Sequence, residues 1–309
     1  MKLLHGFNDP AACRGAYVSI GNFDGVHRGH RTMIARLIER ARQDDVPAVV
    51  MTFSPHPIEI LRPDAAPPPL TTLERKVQLL AECGVDCVIA YPTDWALLRL
   101  TPDEFFQSIL LTKLQARGMV EGENFFYGHD RAGNIHTLQA ACQVAGMTLD
   151  IITPVSVCSR VVSSSVIRRL IAEGEVTEAA ELLGSHYRLR GLVTAGAARG
   201  RTLGFPTANL INVATEFPKD GVYAGRVQWK DQPYRAAINI GANPTFAEHQ
   251  QKFEVHLLDF QGDLYGETLD VEFITRLRET RAFDGVGELV AQLQKDMAQI
   301  REFTSLRSA

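Results

Sequence analysis

The feature that most constrains this chain is a change of hydrophobic period near residue 187. Before it, apolar runs at 17–20, 48–53, 87–90, 119–121 and 149–152 alternate with helical spacing such as Met33, Ile34, Leu37, Ile38 and Ala41. Alternating strands and helices predict an α/β fold, a mostly parallel, doubly wound sheet. After the change, residues 191–195, 221–229, 234–240, 253–258 and 268–274 alternate with period two between Gly, Pro, Asn and Asp turns. That texture predicts an antiparallel β-barrel or sandwich. A terminal helix then presents Val286, Leu289, Val290, Leu293, Met297 and Ile300 on one face, expected to pack on the barrel. Helical stretches at 166–173 and 177–183, closed by Gly184, precede the change, so the boundary is placed between domains 1–185 and 186–309.

Composition enters mainly as exclusion. A chain of 309 residues, 45% hydrophobic and 22% charged, is long enough for two cores and is neither disordered, collagen-like nor disulfide-dense. A net charge of −4 offers no broad basic field, so no nucleic-acid partner is expected. The opening MKLLHGFNDP has no apolar stretch long enough for a leader, and no later run reaches membrane length, so no membrane partner is expected either. Cys13, Cys83, Cys87, Cys142 and Cys158 are odd in number and form no C-x-x-C, which reads as reduced, buried thiols of a cytoplasmic protein.

The chemistry concentrates in Gly21-Asn22-Phe23-Asp24-Gly25-Val26-His27-Arg28-Gly29-His30, which follows the 17–20 strand and opens a helix. Nucleotides bind at that position of a doubly wound sheet. Gly21, Gly25 and Gly29 allow tight turns and close phosphate approach, and the helix N-terminus favours negative charge. His27 and His30, three apart, share a face and are suited to stabilising charge that develops on phosphorus. A metal pair is the weaker reading, because no third ligand lies at a suitable spacing. Ser163-Ser164-Ser165-Val166-Ile167-Arg168 begins a later helix and reads either as an ordinary serine N-cap with a solvated Arg or as hydroxyls, N–H groups and a guanidinium turned toward an anion.

Asn124, Phe125, Phe126 and Tyr127, with Asp130 and Arg131, read either as core aromatics or as a frame for a planar ligand. His56, between Pro55 and Pro57, reads equally as a site lining or as structure. In the second half, Gly200-Arg201-Thr202-Leu203-Gly204-Phe205-Pro206-Thr207-Ala208-Asn209 reads as a polar turn between strands. Its Thr207 and Asn209 oxygens suit Mg²⁺. Along 253–257, Glu254 and His256 fall on one strand face and Val255 and Leu257 on the other. Glu254 there reads either as a solvent-exposed carboxylate or, where its face lines a site, as the acceptor of a proton from a hydroxyl.

The H-x-G-H segment resembles that of the nucleotidyltransferase superfamily, and the serine run is similar to the Ser-Ser-Thr-x-Ile-Arg segment of those enzymes, with Ser165 for Thr. GRTLGFPTAN, GVYAG (221–225), IGANPTF (240–246), FEVHLLDF (253–260), DLYG (263–266) and RLRETRAFD (276–284) resemble the riboflavin kinase domain, in that order. Together they resemble the bacterial bifunctional riboflavin kinase/FAD synthetase family over nearly the whole chain. The resemblance implies a kinase that phosphorylates riboflavin to FMN and a nucleotidyltransferase that joins FMN to AMP from a second ATP, giving FAD and pyrophosphate. It implies that His27, His30 and Arg168 act in adenylyl transfer, and that Gly21, Asn22, Phe23, Asp24, Gly25, Gly29, Ser164 and Ser165 bind ATP. It further implies that Thr207 and Asn209 hold Mg²⁺ and ATP phosphates, that Glu254 is the base for the ribityl 5′-hydroxyl, and that Asn124, Phe125 and Arg278 contact flavin. Two rivals are another small-molecule nucleotidyltransferase with an accessory domain, and a non-catalytic flavin-binding protein. The Pro-Thr-Ala-Asn segment opposes the first; retention of both histidines, that segment and Glu254 opposes the second.

Overall fold

The computed structural model describes residues 1–8, 10–196, 199–230, 232–243 and 248–303. Its internal contacts divide the chain into Met1–Ser164 and Ser165–Ala309.

The first unit is built on strands β1 (Lys2–His5), β2 (Tyr17–Ile20), β3 (Ala48–Phe53), β4 (Cys87–Tyr91), β5 (Gly118–Gly122) and β6 (Thr148–Ile152). They form one parallel sheet in the order β1-β4-β3-β2-β5-β6. Its central strands are buried on both faces, which is why they read as continuous apolar runs. Period-two alternation divides them between two cores. Tyr17, Val50 and Val88 meet Ile34 and Leu37 of helix α1 (Arg28–Gln43) and Leu79 and Leu80 of α2 (Leu73–Glu82). Val18, Val49 and Met51 face the other way, toward Leu138 of α3 (Ile135–Ala145) and the helical segment that includes Ile109 and Leu110. Thr101 caps that segment, with Pro102 in its first turn and Glu104 completing a capping box, as its sequence predicts. β1 is a short edge strand that the sequence does not announce.

From β2 the chain moves outward to β3 and β4, then returns to β5 and β6 on the other side of β2. The reversal makes the carboxyl end of the β2/β5 pair the topological switch point, where open α/β sheets bind ligands. The two strands pair only at Tyr17↔Gly118 and Val18↔Met119. Beyond that, Glu121 Oε1 accepts the Ile20 N–H at 2.7 Å, so a buried carboxyl replaces the ladder where the strands part. Burial raises the Glu121 pKa well above the usual carboxylate range, opposed by the hydrogen bond from Ile20.

The second unit begins with α4 (Ser164–Glu173) and α5 (Val176–Leu183), the latter ended by Gly184 at φ 79°. Contacts group residues from Ser165 onward with the barrel. For example, Thr177 Oγ1 donates to the Ile274 carbonyl at 3.2 Å and the Lys219 N–H to the Ile171 carbonyl at 3.2 Å. Strands β7 (Tyr187–Thr194), β8 (Ala208–Ile211), β9 (Gly221–Trp229), β10 (Gln232–Asn243), β11 (Glu248–Leu257) and β12 (Thr268–Arg278) close an antiparallel barrel in the order β7-β8-β11-β10-β9-β12. Inward positions such as Leu189, Tyr223, Ile238, Phe253, Val255 and Phe273 fill it. Residues 244–246 of the IGANPTF segment lie outside the described residues.

Helix α6 (Val286–Phe303) buries only part of its expected face. Met297 and Ile300 pack with Ala224 and Leu258, whereas Val286 is exposed. Five free thiols are present; Cys13, Cys87 and Cys142 are buried, Cys83 is half-buried and Cys158 is exposed, so burial does not extend to all five. Among the described residues no helix is long and apolar enough to cross a membrane.

Candidate functional sites

In the first unit, the 21–30 loop leaves β2 at the switch point and turns into α1. Phe23 and Val26 adopt positive φ, 47° and 41°, a conformation costly for residues with side chains. Their side chains, 1% and 0% exposed, anchor the loop in the core. The Asp24 carboxylate accepts N–H bonds from Leu70 and Thr71 at 2.9–3.2 Å and also receives the Thr71 hydroxyl at 3.3 Å. Phe23 and Asp24 thus face inward and hold the loop.

His27 caps α1: its Nδ1 accepts the His30 N–H at 3.3 Å. A neutral imidazole accepting at Nδ1 carries its proton on Nε2, which is then a donor. The two rings stack 3.6 Å apart at 11°. Burial, opposed by a backbone hydrogen bond and by Asp24, lowers His27 to a pKa of about 4. Burial first, then the fields of His27 and Lys76, lower His30 well below its ordinary value. Both rings are therefore neutral near pH 7. The loop also holds Asn22 Oδ1 and His30 Nδ1, buried atoms with no hydrogen-bond partner among the described residues. Buried polar atoms are rarely left so, and two in one phosphate-type loop mark a place prepared for a ligand.

Gly29 has no room for a side chain without pressing on the His27 ring, 3.3 Å from where its Cβ would stand. Ser164 joins this loop, its hydroxyl donating to the Asp24 carbonyl at 2.9 Å. Ser165 and Arg168 follow on α4 and belong to the second unit, where the Arg168 charge acts on Glu216.

From the neighbouring strand β5, the aromatics of the next loop take separate positions. Tyr127 is buried in the core, Phe125 is half-buried and stacked 5.5 Å from it, and Phe126 is 45% exposed beneath the Arg131 guanidinium at 4.4 Å. Asn124 is exposed beside them. The core reading thus holds for Tyr127, while Phe125, Phe126 and Asn124 stay outside the core. His56 instead caps the short helix Pro57–Leu61, its Nδ1 accepting the Ile58 N–H at 3.1 Å.

In the barrel, Asn209 lies on β8 and not in a turn, opposite Thr194 on one side and Glu254 on the other. Glu254 is in turn opposite Asn239. Thr194, Asn209, Glu254 and Asn239 therefore form one polar row across four adjacent strands, half-buried and pointing away from the core filled by Leu210, Val255 and Ile238. Asn209 sits against Gly196, where a Cβ would stand 2.1 Å from its Nδ2. The preceding turn closes with the Phe205 N–H on the Gly200 carbonyl at 2.7 Å, and Thr207 is exposed beside it. His256, on the same face as Glu254, fixes this turn. Its Nδ1 lies 2.7 Å from the Pro206 carbonyl, and its ring meets Phe205 edge-on at 5.8 Å. Because a carbonyl only accepts, Nδ1 carries the proton.

Arg278 is held elsewhere. Its Nε and Nη2 grip the carboxylate of Asp296, 1% exposed on α6, at 2.7–3.2 Å. This ion pair ties α6 to β12. Among the described residues no group of three or more His, Cys, Asp or Glu side chains could hold a metal. Thr207 and Asn209 offer neutral oxygens beside the Glu254 strand, a donor set that fits Mg²⁺ when most of its shell comes from water and nucleotide phosphates.

Lys76, Thr52, Glu121, Asn239 and the clamping role of His256 escape a reading of motifs. Lys76 has a visible signal: it occupies an apolar-face position of an amphipathic helix.

Comparison with known proteins agrees with this division. Residues 9–166 match the FAD synthetase family model and residues 183–304 the riboflavin kinase model. The bifunctional riboflavin kinase/FMN adenylyltransferase of Escherichia coli (strain K12) is 38% identical, over 99% of both chains. That of Bacillus subtilis (strain 168) is 35% identical over 94% of this chain and 93% of its own. A Streptococcus pneumoniae structure, solved under the name macrolide-efflux protein, is 33% identical with a TM-score of 0.87, covering 98% of this chain and 99% of that one.

Proposed function

The chain belongs to the bifunctional riboflavin kinase/FMN adenylyltransferase family, with riboflavin, FMN, FAD and ATP as its substrates and products, and we propose a division of labour among its residues. The observation that carries the adenylyl-transfer site is the pair of unpartnered buried atoms, Asn22 Oδ1 and His30 Nδ1, in a loop at the switch point. In this reading Gly21, Gly25 and Gly29 let the ATP phosphates approach the backbone, and Ser164, tied to the Asp24 carbonyl, stands with them on the triphosphate. An oxygen of the FMN phosphate attacks the α-phosphorus; the new O–P bond forms as the bond to the bridging oxygen breaks, and pyrophosphate leaves. His27 and His30 donate hydrogen bonds to the phosphoryl oxygens as charge develops. No base is required, because the nucleophile is already ionised. Asn124 and Phe125 contact the flavin.

For the kinase, Glu254 accepts the proton of the ribityl 5′-hydroxyl while that oxygen attacks the γ-phosphorus and ADP leaves. Thr207 and Asn209 would hold Mg²⁺, which when bound supplies charge neutralisation on the phosphates. Asn209 and Glu254, register partners on adjacent strands, keep the metal-side and base-side groups a strand apart. Arg278 contributes by fixing α6 through Asp296. We place the division between activities near residue 185, within the second family match and just past α5. Five free thiols accord with a reducing, cytoplasmic setting.

Riboflavin with Mg-ATP should yield FMN and ADP, then FAD and pyrophosphate, resolved by chromatography. EDTA should stop phosphorylation and added Mg²⁺ restore it. Phosphorylation that persists in EDTA would remove the metal role of Thr207 and Asn209.

A further inference from the structure

A lysine stands on the inner face of α2. The buried residues of that helix are Lys76, Leu79 and Leu80, and Lys76 is 8% exposed. A buried ammonium is unfavourable unless hydrogen bonds and opposite charge compensate it. Here compensation is thin. Nζ donates to Thr52 Oγ1 at 3.4 Å, beyond the usual range, and this is its one hydrogen bond among the described residues. Burial lowers its pKa, and two carboxylates, Asp24 and Glu59, oppose that shift. Both have other donors: Asp24 holds Leu70 and Thr71, and Glu59 accepts the His56 N–H at 3.0 Å.

Thr52 extends the connection. It is fully buried at the carboxyl end of β3, and its hydroxyl donates to the Asn22 carbonyl at 3.1 Å. Asn22 belongs to the 21–30 loop and carries one of its two unpartnered buried atoms; the other, on His30, lies in the field of Lys76. With both histidines neutral, this ammonium is the buried cation nearest to hand for an anion on the loop.

We propose that Lys76 is a positioning residue for adenylyl transfer, its ammonium fixing the Asn22 carbonyl through Thr52 and setting a positive field beneath the loop where the ATP phosphates lie. The proposal rests on the reading of the 21–30 loop as the ATP site. Remote charge and a relayed hydrogen bond act on the loop together, so loss of the ammonium affects turnover as well as nucleotide affinity.

The test uses the full-length chain, with FMN and Mg-ATP as substrates. Lys76→Met should lower kcat/KM for FAD formation about 30-fold, a size appropriate to losing charge-assisted interactions. Lys76→Arg should recover most of it. Thr52→Val should cost about tenfold, and the double variant should be no worse than Lys76→Met alone, because the two groups act in series. Riboflavin phosphorylation by the same chains should match wild type. A folded Lys76→Met chain that forms FAD within twofold of wild type would overturn the proposal. If Lys76→Met fails to fold, Thr52→Val decides, and wild-type kinetics there would overturn it equally. His30→Ala separates the two layers. Loss of FAD formation in His30→Ala with a silent Lys76→Met removes only the lysine role; FAD formation untouched by His30→Ala removes the loop reading and the lysine role with it.

Discussion

In the first unit the candidate groups sit in loops beyond the ends of parallel strands and are mostly buried; in the barrel they stand on the strands themselves, half exposed. His27 is 5% exposed and stacked on His30, whereas Asn209 and Glu254 share a register on the outer face. A parallel sheet packed on both faces has no free face for ligands, so chemistry moves to the loops at its carboxyl end. A barrel fills its interior with side chains and leaves alternate outward positions available. In the proposed division of labour, a nucleotide triphosphate is met by backbone turns in one unit and beside a polar row in the other.

Burial makes the two halves respond differently to acid. His27, lowered to about 4 from 6.5, binds its proton more readily in the unfolded chain, so its contribution to stability is present above pH 6.5 and is lost as pH falls through 4. The shift corresponds to roughly 3 kcal/mol at the acid end; His30 adds loss of the same sign. In the second unit, His186, which is exposed, and His256, which is half-buried, are also lowered. Glu121, its pKa raised, acts in the opposite sense, so the histidine effect is read as a difference. Urea unfolding between pH 7 and 4, followed through Trp95 in a Trp229→Phe chain, should show stability lost more steeply with His27 present than in His27→Gln. Equal slopes in the two chains would contradict the lowered His27 pKa.

A smaller effect tests whether the barrel site depends on its turn. His256→Ala frees the Pro206 carbonyl and should raise KM for Mg-ATP in riboflavin phosphorylation about tenfold, the worth of a good hydrogen bond. His256→Asn, which can still donate, should recover part of it, and FMN adenylylation should not change. An unaltered KM in a folded His256→Ala chain would show that Thr207 and Asn209 are held without the clamp.

Much of this was legible where side-chain period and chemistry coincide. His27 and His30 stand out because a three-residue spacing at a helix start after a strand has few other uses, and Glu254 with His256 follows from period-two alternation against Val255 and Leu257. Asn209 was read as part of a turn because Gly204 and Pro206 dominate the local signal, while pairing with both β7 and β11 decides the backbone state. Arg278 looked free because Asp296, its partner, lies 18 residues away on a helix whose polar residues normally face water. Glu121 is invisible as a buried group until the packing is known, and Lys76 shows only by its apolar-face position: a charged residue in sequence reads as solvated, and only the fold takes water away from it.

The most direct test of two separate sites is Asn209→Ala in the full-length chain, with riboflavin and FMN supplied in parallel assays. FMN formation from riboflavin should vanish while FMN is still converted to FAD at the wild-type rate. Loss of both conversions in a chain that remains folded would contradict it.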